Sequence, residues 1–401
     1  MARIYITFPL HRDTVDLLGL IENKVIQFDN ARLFYQPNVG LQQGWRKNNI
    51  MHLTMEESIK SFKPDVVVIG NNTIPESAIR AWGKSLLDKT APKQVEPMII
   101  RRGTELGGIP VELAKAYGIE LKNTPGINSP YVARHMLQQL DFTSSTPGET
   151  IAVIGAGDIG LPIIKAAVKN GLNIKVISDS LMSHSEVKRR NRKIDYIQSF
   201  LEKNRIENAN ISYHSSLEST LDCANYVAIS VPWWLEKEQR HNEDMIDVST
   251  IKKIAVGATI VSASNPRVFS EDALSWMNQK ILGKQIKKVR IDTGHSYAAE
   301  VYERYHCKAI DAQAGKAFYC KDGLTRLDRA LLNVIFKHSG LSTTKLLMTI
   351  PRPHDDMDIE SYIVNPQHFY DTEKVYATYA KQLLNHSNRA GPLKNRSFDA
   401  A

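Results

Sequence analysis

The sequence predicts an α/β protein built from two doubly wound domains, and three observations support this prediction. Continuous apolar runs alternate with segments of helical spacing, which is typical of parallel sheets covered by helices. The 401 residues are too many for one ordinary core and suit two. The stretch IAVIGAGDIG, from Ile151 to Gly160, places a glycine-rich turn between an apolar run and a helical segment.

The first 128 residues contain alternating strand and helix signals. Strands are predicted at ARIYITF near the start, DVVVIG from Asp65, EPMII from Glu96 and GIELKN from Gly118. DVVVIG is a continuous apolar run, which is typical of a strand buried on both faces of a parallel sheet. Between the last two strands, IPVELAKAYG has helical spacing. These elements predict a small flavodoxin-like doubly wound domain.

The second domain is predicted to begin with a helix. In SPYVARHMLQQLDF, Ser129 suits the helix cap and the following proline suits the first turn. Strands are then predicted at IAVIG, IKVIS, ANYVAIS, ATIVSAS and KKVRID, and the segments 185–205 and 296–341 are interpreted as additions outside the core fold. The predicted boundaries are 129–352 for this domain and 1–128 with 353–401 for the other, which is therefore discontinuous.

The glycine-rich turn predicts a dinucleotide-binding site in the second domain. Gly155 permits a tight turn, Gly157 lets the backbone approach a pyrophosphate, and Gly160 lets the following helix pack closely on its strand. Asp158 and Ile159 complete the predicted turn. Because the amino terminus of a helix attracts phosphate groups, the pattern predicts a Rossmann domain that binds a nicotinamide dinucleotide.

The strand after this turn ends beside Asp179, and that acid suits the two hydroxyl groups of an adenosine ribose. It favours NAD over NADP. A dense basic cluster follows closely and keeps NADP possible. The cluster consists of Lys188, Arg189, Arg190, Arg192 and Lys193. Two interpretations of the cluster stay open, namely a solvated helix face and a contact with a cofactor phosphate.

Composition narrows the remaining classes of function. The formal net charge is +8, yet the basic cluster has no interleaved aromatic residues, so no nucleic-acid partner is predicted. No apolar run reaches the roughly 18 residues needed to span a bilayer, and the start of the chain does not read as a secretory leader. The three cysteines, Cys223, Cys307 and Cys320, lack a paired C-x-x-C spacing, so neither a disulfide framework nor a metal site is predicted. These features predict a cytoplasmic protein without a membrane partner.

The stretch RRGTELGGIPVELAKAYGIELKNTPGINSPYVARHML resembles the glycine loop, helix, strand and Asn-Thr-Pro-Gly hinge of the D-isomer-specific 2-hydroxyacid dehydrogenases. The resemblance covers roughly Pro97 to Leu274. VAISVP is similar to the strand that leads to the nicotinamide pocket, and ATIVSASNPRVFSEDAL to the strand and helix that carry a catalytic arginine. The resemblance implies NAD-dependent hydride transfer on a small anionic oxo or hydroxy substrate in the cleft between the domains, and a homodimer.

The resemblance also implies binding residues at the ends of several strands. The implied cofactor contacts outside the glycine turn and Asp179 are Val231, Pro232, Ser262 and Asp292. The implied substrate contacts are Arg102, Gly103 and Asn265.

In the family an arginine pairs with the substrate carboxylate and a histidine exchanges a proton with the reacting oxygen, and both roles suit the chemistry of these side chains. Asn265 stands at the arginine position, so Arg267 would have to supply the guanidinium after a local shift. The family's Thr-Pro-His is similar to Pro351-Arg352-Pro353-His354, which makes His354 the first candidate for the acid or base. His295, just after a strand end, is the second.

Two acids near the histidine candidates, Glu300 and Glu303, are interpreted either as groups that polarise a histidine or as ordinary helix-surface carboxylates.

The leading functional hypothesis is an NAD-dependent oxidoreductase. The alternative is an NAD(H)-binding sensor or scaffold without dehydrogenase activity, which the loss of arginine at Asn265 suggests. GAGDIG also resembles the glycine turn of adenosylhomocysteinase-like enzymes, a third possibility.

Overall fold

The structure is a computed structural model that describes residues 2–6, 26–27, 55–70, 73–87, 96–103, 106, 108–182, 187–206, 209–235, 240–293 and 295–315, with isolated positions up to 335. These residues divide into two units. Unit 1 holds the described residues up to Ile127 and those from Leu324 onward, and unit 2 holds the described residues of Asn128–Gly323. The domain boundaries given above reach into segments outside the described residues and stay a prediction.

Unit 1 contains a parallel sheet whose strands match the four that the sequence predicts, with one further short strand. The strands are β1 (Ala2–Ile6), β2 (Ile26–Gln27), β3 (Val66–Ile69), β4 (Met98–Arg101) and β5 (Glu120–Asn123). Among the described residues their order is β2-β1-β3-β4-β5, and every pairing is parallel. This is the flavodoxin order, so the predicted fold of the first domain is confirmed.

The helices of unit 1 are α1 (Met55–Phe62), α2 (Glu76–Leu87) and α3 (Val111–Ala116). All four residues of β3 are fully buried, as expected for a strand covered on both faces. Trp82 of α2 is also fully buried, and its indole Nε1 donates to the carbonyl oxygen of Pro64 at 2.8 Å. A smaller apolar cluster joins Ile127 to Leu327 and Ala330, so the chain returns to unit 1 after unit 2.

Unit 2 contains the larger sheet. Its strands are β6 (Thr150–Ile154), β7 (Asn173–Ile177), β8 (Ile211–Tyr213), β9 (Tyr226–Ile229), β12 (Ala258–Ser262), β13 (Ile286–Thr293) and β14 (Asp311–Ala314), and a separate hairpin pairs β10 (Trp234–Leu235) with β11 (Arg240–His241). Among the described residues the order is β14-β13-β12-β9-β6-β7-β8. The strands are added on one side of β6 up to β8 and on its other side from β9 onward. The position between β6 and β9 is therefore the switch point of the Rossmann fold, where ligands bind.

The helices of unit 2 are α4 (Ser129–Leu140), α5 (Gly160–Lys169), α6 (Asp179–Met182), α7 (Val187–Lys203), α8 (Leu217–Leu221), α9 (Val248–Ile251), α10 (Glu271–Leu282) and α11 (His295–Glu303). The cap of α4 differs from the predicted one. Asn128 is the capping residue and forms no side-chain cap hydrogen bond, while Ser129 is the first residue of the helix and is buried. No helix among the described residues is long and apolar enough to cross a membrane.

The interpretation of 185–205 and 296–341 as additions outside the core fold is wrong for two elements. Helix α7 forms part of the crossover from β7 to β8, and its Ile197, Phe200 and Leu201 are buried in the core. Strand β14 extends the sheet beside β13, with Arg290 opposite Asp311 and Thr293 opposite Ala314. The sequence of β14, DAQA, is short and polar, so it carries no apolar run by which a strand could be predicted.

Candidate functional site

The turn after β6 has the geometry that its glycines predict. Gly155 has a φ of 99°, and a Cβ atom there would lie 2.5 Å from the carbonyl oxygen of Ser230 at the end of β9. At Gly160 a Cβ atom would lie 1.9 Å from the carbonyl oxygen of Gly155. Both positions therefore exclude any side chain. The Ser230 hydroxyl donates to the carbonyl oxygen of Gly155 at 3.1 Å and holds the turn against β9.

Gly157, the middle glycine of the turn, differs from the other two because the space beside it is empty. A Cβ atom at Gly157 would meet no heavy atom within 4 Å, and the residue is exposed. Helix α5 starts three residues later, and its capping residue, Ile159, forms no side-chain cap hydrogen bond. The amino terminus of a helix has N–H groups directed outward and a partial positive charge. The turn therefore fits the pyrophosphate of a dinucleotide.

Asp179, the predicted partner of the adenosine ribose, is the first residue of α6 and follows β7 directly. Its carboxylate forms an ion pair with the guanidinium of Arg189, a member of the basic cluster. Both side chains are partly exposed, at 42% and 34%. A ligand bound at the carboxyl end of β7 would therefore contact a carboxylate and a guanidinium side by side. The sequence pattern alone does not indicate this pairing.

Serine hydroxyls hold the strand ends around the turn in place. The Oγ atom of Ser264 accepts from the backbone N–H of Val231 and donates to its carbonyl oxygen, both at 2.9 Å. Ser262, at the end of β12, is fully buried, and its Oγ accepts from the N–H of Ser264. Pro232 is exposed, and its carbonyl oxygen accepts from the side-chain amide of Asn242. The predicted contacts Val231, Pro232 and Ser262 thus lie at the carboxyl edge of neighbouring strands.

Arg267 and Glu300 form a bidentate ion pair at the same edge of the sheet. The Nε atom of Arg267 lies 3.3 Å and 3.2 Å from the two carboxylate oxygens of Glu300, and Nη2 lies 3.0 Å from Oε1. Arg304 also donates to Glu300 at 2.8 Å. Only 12% of the Glu300 side chain is exposed, so this acid is not a helix-surface carboxylate. The Arg267 guanidinium lies 5.5 Å from the centre of the Tyr297 ring.

Asn265 has a local structural role beside this pair. Its side-chain oxygen accepts from the backbone N–H of Arg267 at 3.1 Å and caps a short 3-10 helix at Pro266–Val268. That cap fixes the backbone on which the Arg267 side chain stands. Asn265, the residue at the predicted arginine position, therefore positions Arg267.

The pKa of the Glu300 carboxyl reflects two opposing effects. Burial opposes its ionisation, but hydrogen bonds from Arg267, Arg304 and Tyr305 outweigh burial and hold the pKa below its ordinary value of 4.5. The same pairing raises the pKa of Arg267. Because the folded state keeps Glu300 ionised to lower pH than the unfolded chain does, the pair stabilises the fold above that ordinary value.

We expect this contribution to be lost as the pH falls below about 4.5 through the lowered pKa of folded Glu300. Wild-type protein and the variant Glu300→Gln are to be compared by thermal unfolding between about pH 3 and pH 8. The difference between their melting temperatures should be largest near neutral pH and should shrink at the acid end. A difference that does not vary with pH would contradict the assignment.

Asp292 and Gln313 are cross-strand neighbours on β13 and β14. Asp292 is 2% exposed, and its Oδ2 accepts from the backbone N–H of Ala317 at 2.9 Å. Gln313 is 7% exposed and donates to Asp311, while its carbonyl oxygen has no partner among the described residues. The predicted cofactor contact Asp292 therefore has a buried amide beside it that the sequence did not reveal.

The predicted substrate loop lies in unit 1. Gly103 has a φ of 118°, and it exchanges two hydrogen bonds with Thr124, from the Gly103 N–H to the threonine hydroxyl at 2.9 Å and from the Thr124 N–H to the Gly103 carbonyl at 3.0 Å. The backbone N–H of Arg102 donates to the carbonyl oxygen of Ile69 at 2.8 Å. These bonds fix the loop after β4 between the ends of β3 and β5, where α/β sheets bind ligands.

Several solved structures with a similar fold are dehydrogenases. The apo D-lactate dehydrogenase of Escherichia coli superposes with a TM-score of 0.54 at 13% identity, over 85% of this chain and 98% of that one. The 3-phosphoglycerate dehydrogenase of Entamoeba histolytica, with bound NAD+, gives 0.55 at 17% identity, over 84% and 96%. The D-lactate dehydrogenase of Aquifex aeolicus, with NAD and lactic acid, gives 0.53 at 14% identity, over 83% and 94%.

The chain has the fold of the D-isomer-specific 2-hydroxyacid dehydrogenases. The resemblance predicted from sequence is thus confirmed for the fold. A hydroxypyruvate reductase of Thermotoga maritima is 24% identical in an alignment 247 residues long, which covers 56% of this chain and 68% of that protein. No protein-family model matches the chain.

Neither predicted histidine has its side chain among the described residues. His354 is outside the described residues, and of His295 only the backbone, as the first residue of α11, is described. His241 is described; its ring stacks on that of Trp233, with centroids 4.7 Å apart and an interplanar angle of 25°. The pair lies at the base of the β10–β11 hairpin, directly after β9. The roles of the predicted catalytic residues stay predictions.

Proposed function

We propose that the protein is an oxidoreductase that uses a nicotinamide dinucleotide to interconvert a small anionic 2-oxo and 2-hydroxy acid. The glycine turn is the observation that carries the proposal, because Gly155 and Gly160 exclude a side chain while the space over Gly157 is open. The similar D-lactate and 3-phosphoglycerate dehydrogenases support the reaction class. NAD is the first cofactor to test, since two of these enzymes were solved with NAD.

The cofactor would be held by residues at the switch point of the sheet. They are Gly155, Gly157, Asp158, Ile159, Gly160, Asp179, Val231, Pro232, Ser262 and Asp292. When bound, the nicotinamide accepts or supplies the hydride. The buried serine hydroxyls of Ser262 and Ser264 keep the strand ends rigid, which is what orients a reacting ring against a substrate.

Asn265 and Arg267 of unit 2 are proposed to contact the anionic end of the substrate, and Arg102 and Gly103 remain the substrate contacts predicted for unit 1. Arg267 presents one edge of its guanidinium to Glu300, whereas its Nη1 atom has no hydrogen-bond partner among the described residues. Glu300 therefore orients the guanidinium and leaves a donor for a carboxylate. The exposed fraction of the Arg267 side chain, 36%, is consistent with such a contact.

A histidine is proposed to exchange the proton of the reacting oxygen, since an imidazole can donate in one direction of the reaction and accept in the other. His354 is the first candidate and His295 the second. We expect His354→Asn to lower kcat by at least about a hundredfold, the usual contribution of an acid or base, while the dissociation constant for NADH changes little. Steady-state kinetics and calorimetry measure the two quantities. Full activity would transfer the role to His295, whose His295→Asn variant is the matched comparison.

The proposed function itself is tested by calorimetric titration with NAD, NADH and NADPH, followed by absorbance of the reduced nicotinamide with a panel of 2-oxo acids. Hydroxypyruvate comes first, because of the reductase similar in sequence. Binding with turnover is the expected result. Binding without turnover on any 2-oxo acid would favour an NAD(H) sensor or scaffold, and the absence of binding would overturn the proposal.

We also propose a homodimer in a reducing, cytoplasmic environment. Cys223 is exposed and Cys307 is buried, and both are free thiols, which suits such an environment. Light scattering after size-exclusion chromatography gives the mass to compare with twice 45.2 kDa.

A further inference from the structure

Two exposed aliphatic side chains stand on joined turns at the amino edge of the large sheet. Val256, in the turn before β12, is 85% exposed, and Leu282, at the end of α10, is 71% exposed, the two highest values among the large apolar side chains of the described residues. The turns are joined because the N–H of Gly257 donates to the carbonyl oxygen of Gln285 at 2.9 Å. One exposed aliphatic residue is ordinary, but two on joined turns form a raised apolar surface.

Lysines surround these two side chains on the same turns. We call them the lysine patch, which consists of Lys252, Lys253, Lys280, Lys284 and Lys287. All except Lys280 are exposed, and none of the five forms an ion pair with an acid in the described part of the chain. Lys280 donates to the side chain of Gln285 at 2.6 Å and lies 5.6 Å from the centre of the Trp276 ring. The apolar surface is therefore bordered by cations that have no opposite charge paired with them.

The lysine patch carries a net positive charge. Two acids stand at its margin, namely Asp141, which attracts Lys287, and Asp222, whose neighbour Cys223 donates its N–H to the carbonyl oxygen of Lys253. Five lysines thus face two acids. In a symmetric contact between two copies of the chain, the same patch on each copy would bring like charges together. The occupant that fits the patch is therefore anionic.

An anionic lipid surface fits this combination of charge and shape. Proteins bind nucleic acids largely through arginine forks and stacked aromatic rings, whereas the patch has only lysines and its raised side chains are aliphatic. Lysines near a membrane are attracted to anionic headgroups, and aliphatic side chains beside them enter the boundary with the acyl chains. Trp276, the partly buried ring beside Lys280, belongs to a residue type that is enriched at membrane interfaces.

We propose that the lysine patch docks the protein reversibly on a membrane surface that contains anionic lipids, with Val256 and Leu282 inserted between the headgroups. Such a contact needs no membrane-spanning helix, and it departs from the sequence-based prediction that a membrane partner is absent. The patch lies at the amino edge of the sheet, whereas the glycine turn lies at its carboxyl edge. Docking therefore leaves the proposed dinucleotide site of unit 2 uncovered by the membrane.

The test is co-sedimentation of the full chain with vesicles of phosphatidylcholine, alone or with about one third phosphatidylserine. We expect binding only to the vesicles that contain phosphatidylserine, and at least about tenfold weaker binding when the salt concentration rises from about 0.05 M to about 0.5 M. Lys253→Gln combined with Lys287→Gln should lower the partition coefficient at least about tenfold, because each lysine near the surface contributes about fivefold. Leu282→Gln keeps every charge and should lower it at least about threefold.

The matched control combines Lys169→Gln with Lys203→Gln. It removes the same two charges from exposed positions at the ends of α5 and α7, in the other half of the sheet, and should change the partition coefficient by less than about threefold. An equal loss in the control would show a general attraction by net charge and would overturn the inference.

Three further results would overturn the inference. They are no binding to phosphatidylserine vesicles, binding that Leu282→Gln leaves unchanged, and binding of an RNA oligonucleotide that is tighter than binding to the vesicles and is lost in the Lys253→Gln, Lys287→Gln variant. The inference does not depend on the proposed function, because titration with NADH is a separate measurement and either result can fail alone.

Discussion

Replacing Gly160 by alanine is expected to destabilise unit 2 severely. The new Cβ atom would lie 1.9 Å from the carbonyl oxygen of Gly155, and that oxygen already accepts from the Ser230 hydroxyl. Relief would require a shift of the backbone where the turn meets β9. Such overpacking costs about 3 kcal/mol or more, a large part of the stability of an ordinary domain. Urea unfolding followed by circular dichroism measures the loss. A free energy of unfolding within about 1 kcal/mol of the wild type would contradict the described turn.

Gly157→Ala is the matched control for Gly160→Ala, because it makes the same substitution three positions earlier in the turn. Because a Cβ atom there meets nothing within 4 Å, the free energy of unfolding should stay within about 0.5 kcal/mol of the wild type. The methyl group would nevertheless occupy the space through which the backbone approaches a pyrophosphate, so NADH should bind at least about tenfold more weakly. Unchanged NADH affinity in a folded Gly157→Ala variant would show that the pyrophosphate does not bind at this turn.

Arg267→Ala is expected to lower kcat/KM by about a hundredfold, because a charge-assisted hydrogen bond to the substrate contributes up to about 3 kcal/mol. Affinity for NADH should change by less than about threefold, since the contacts of Arg267 lie in the loop after β12 and on α11. Arg267→Lys keeps the charge but cannot pair with Glu300 through two parallel donors, so it should recover only part of the activity.

A double-mutant cycle with Glu300→Gln separates the two roles of Arg267. If Glu300 acts by orienting the guanidinium, its removal should lower kcat/KM in the wild-type background and have little further effect in Arg267→Ala. Additive losses in the double variant would show that Glu300 acts independently of Arg267. Unchanged kcat/KM in Arg267→Ala would exclude the arginine from the substrate site.

The fold could be predicted from sequence because its main signals are local. The glycine turn, the apolar strand β3 and the helical spacing of α3 each lie within about a dozen consecutive residues, and every one of them has the predicted secondary structure. Strand β14 could not be predicted in this way. Its residues are polar, and its position comes from pairing with β13, some twenty residues earlier in the chain.

The candidate site was predictable only in part, because several of its residues act through partners distant in sequence. Glu300 resembles a surface acid in the sequence, and only its pairing with Arg267, 33 residues away, makes it an orienting group. The pairing of Asp179 with Arg189 is likewise a consequence of how α7 packs. Single positions matched to a family pattern, such as Asn265, do not carry this information.

The return of the chain to unit 1 has a consequence for synthesis on the ribosome. The described residues of unit 2 come from one continuous stretch, Asn128–Gly323, so the sheet that they form can fold as soon as that stretch has emerged. Unit 1 has to wait, because Leu327 and Ala330 pack against Ile127 and are made some two hundred residues later. During that interval an incomplete unit 1 exposes part of its apolar surface. Newly made chains are therefore most exposed to chaperones and to aggregation after the glycine turn has already formed.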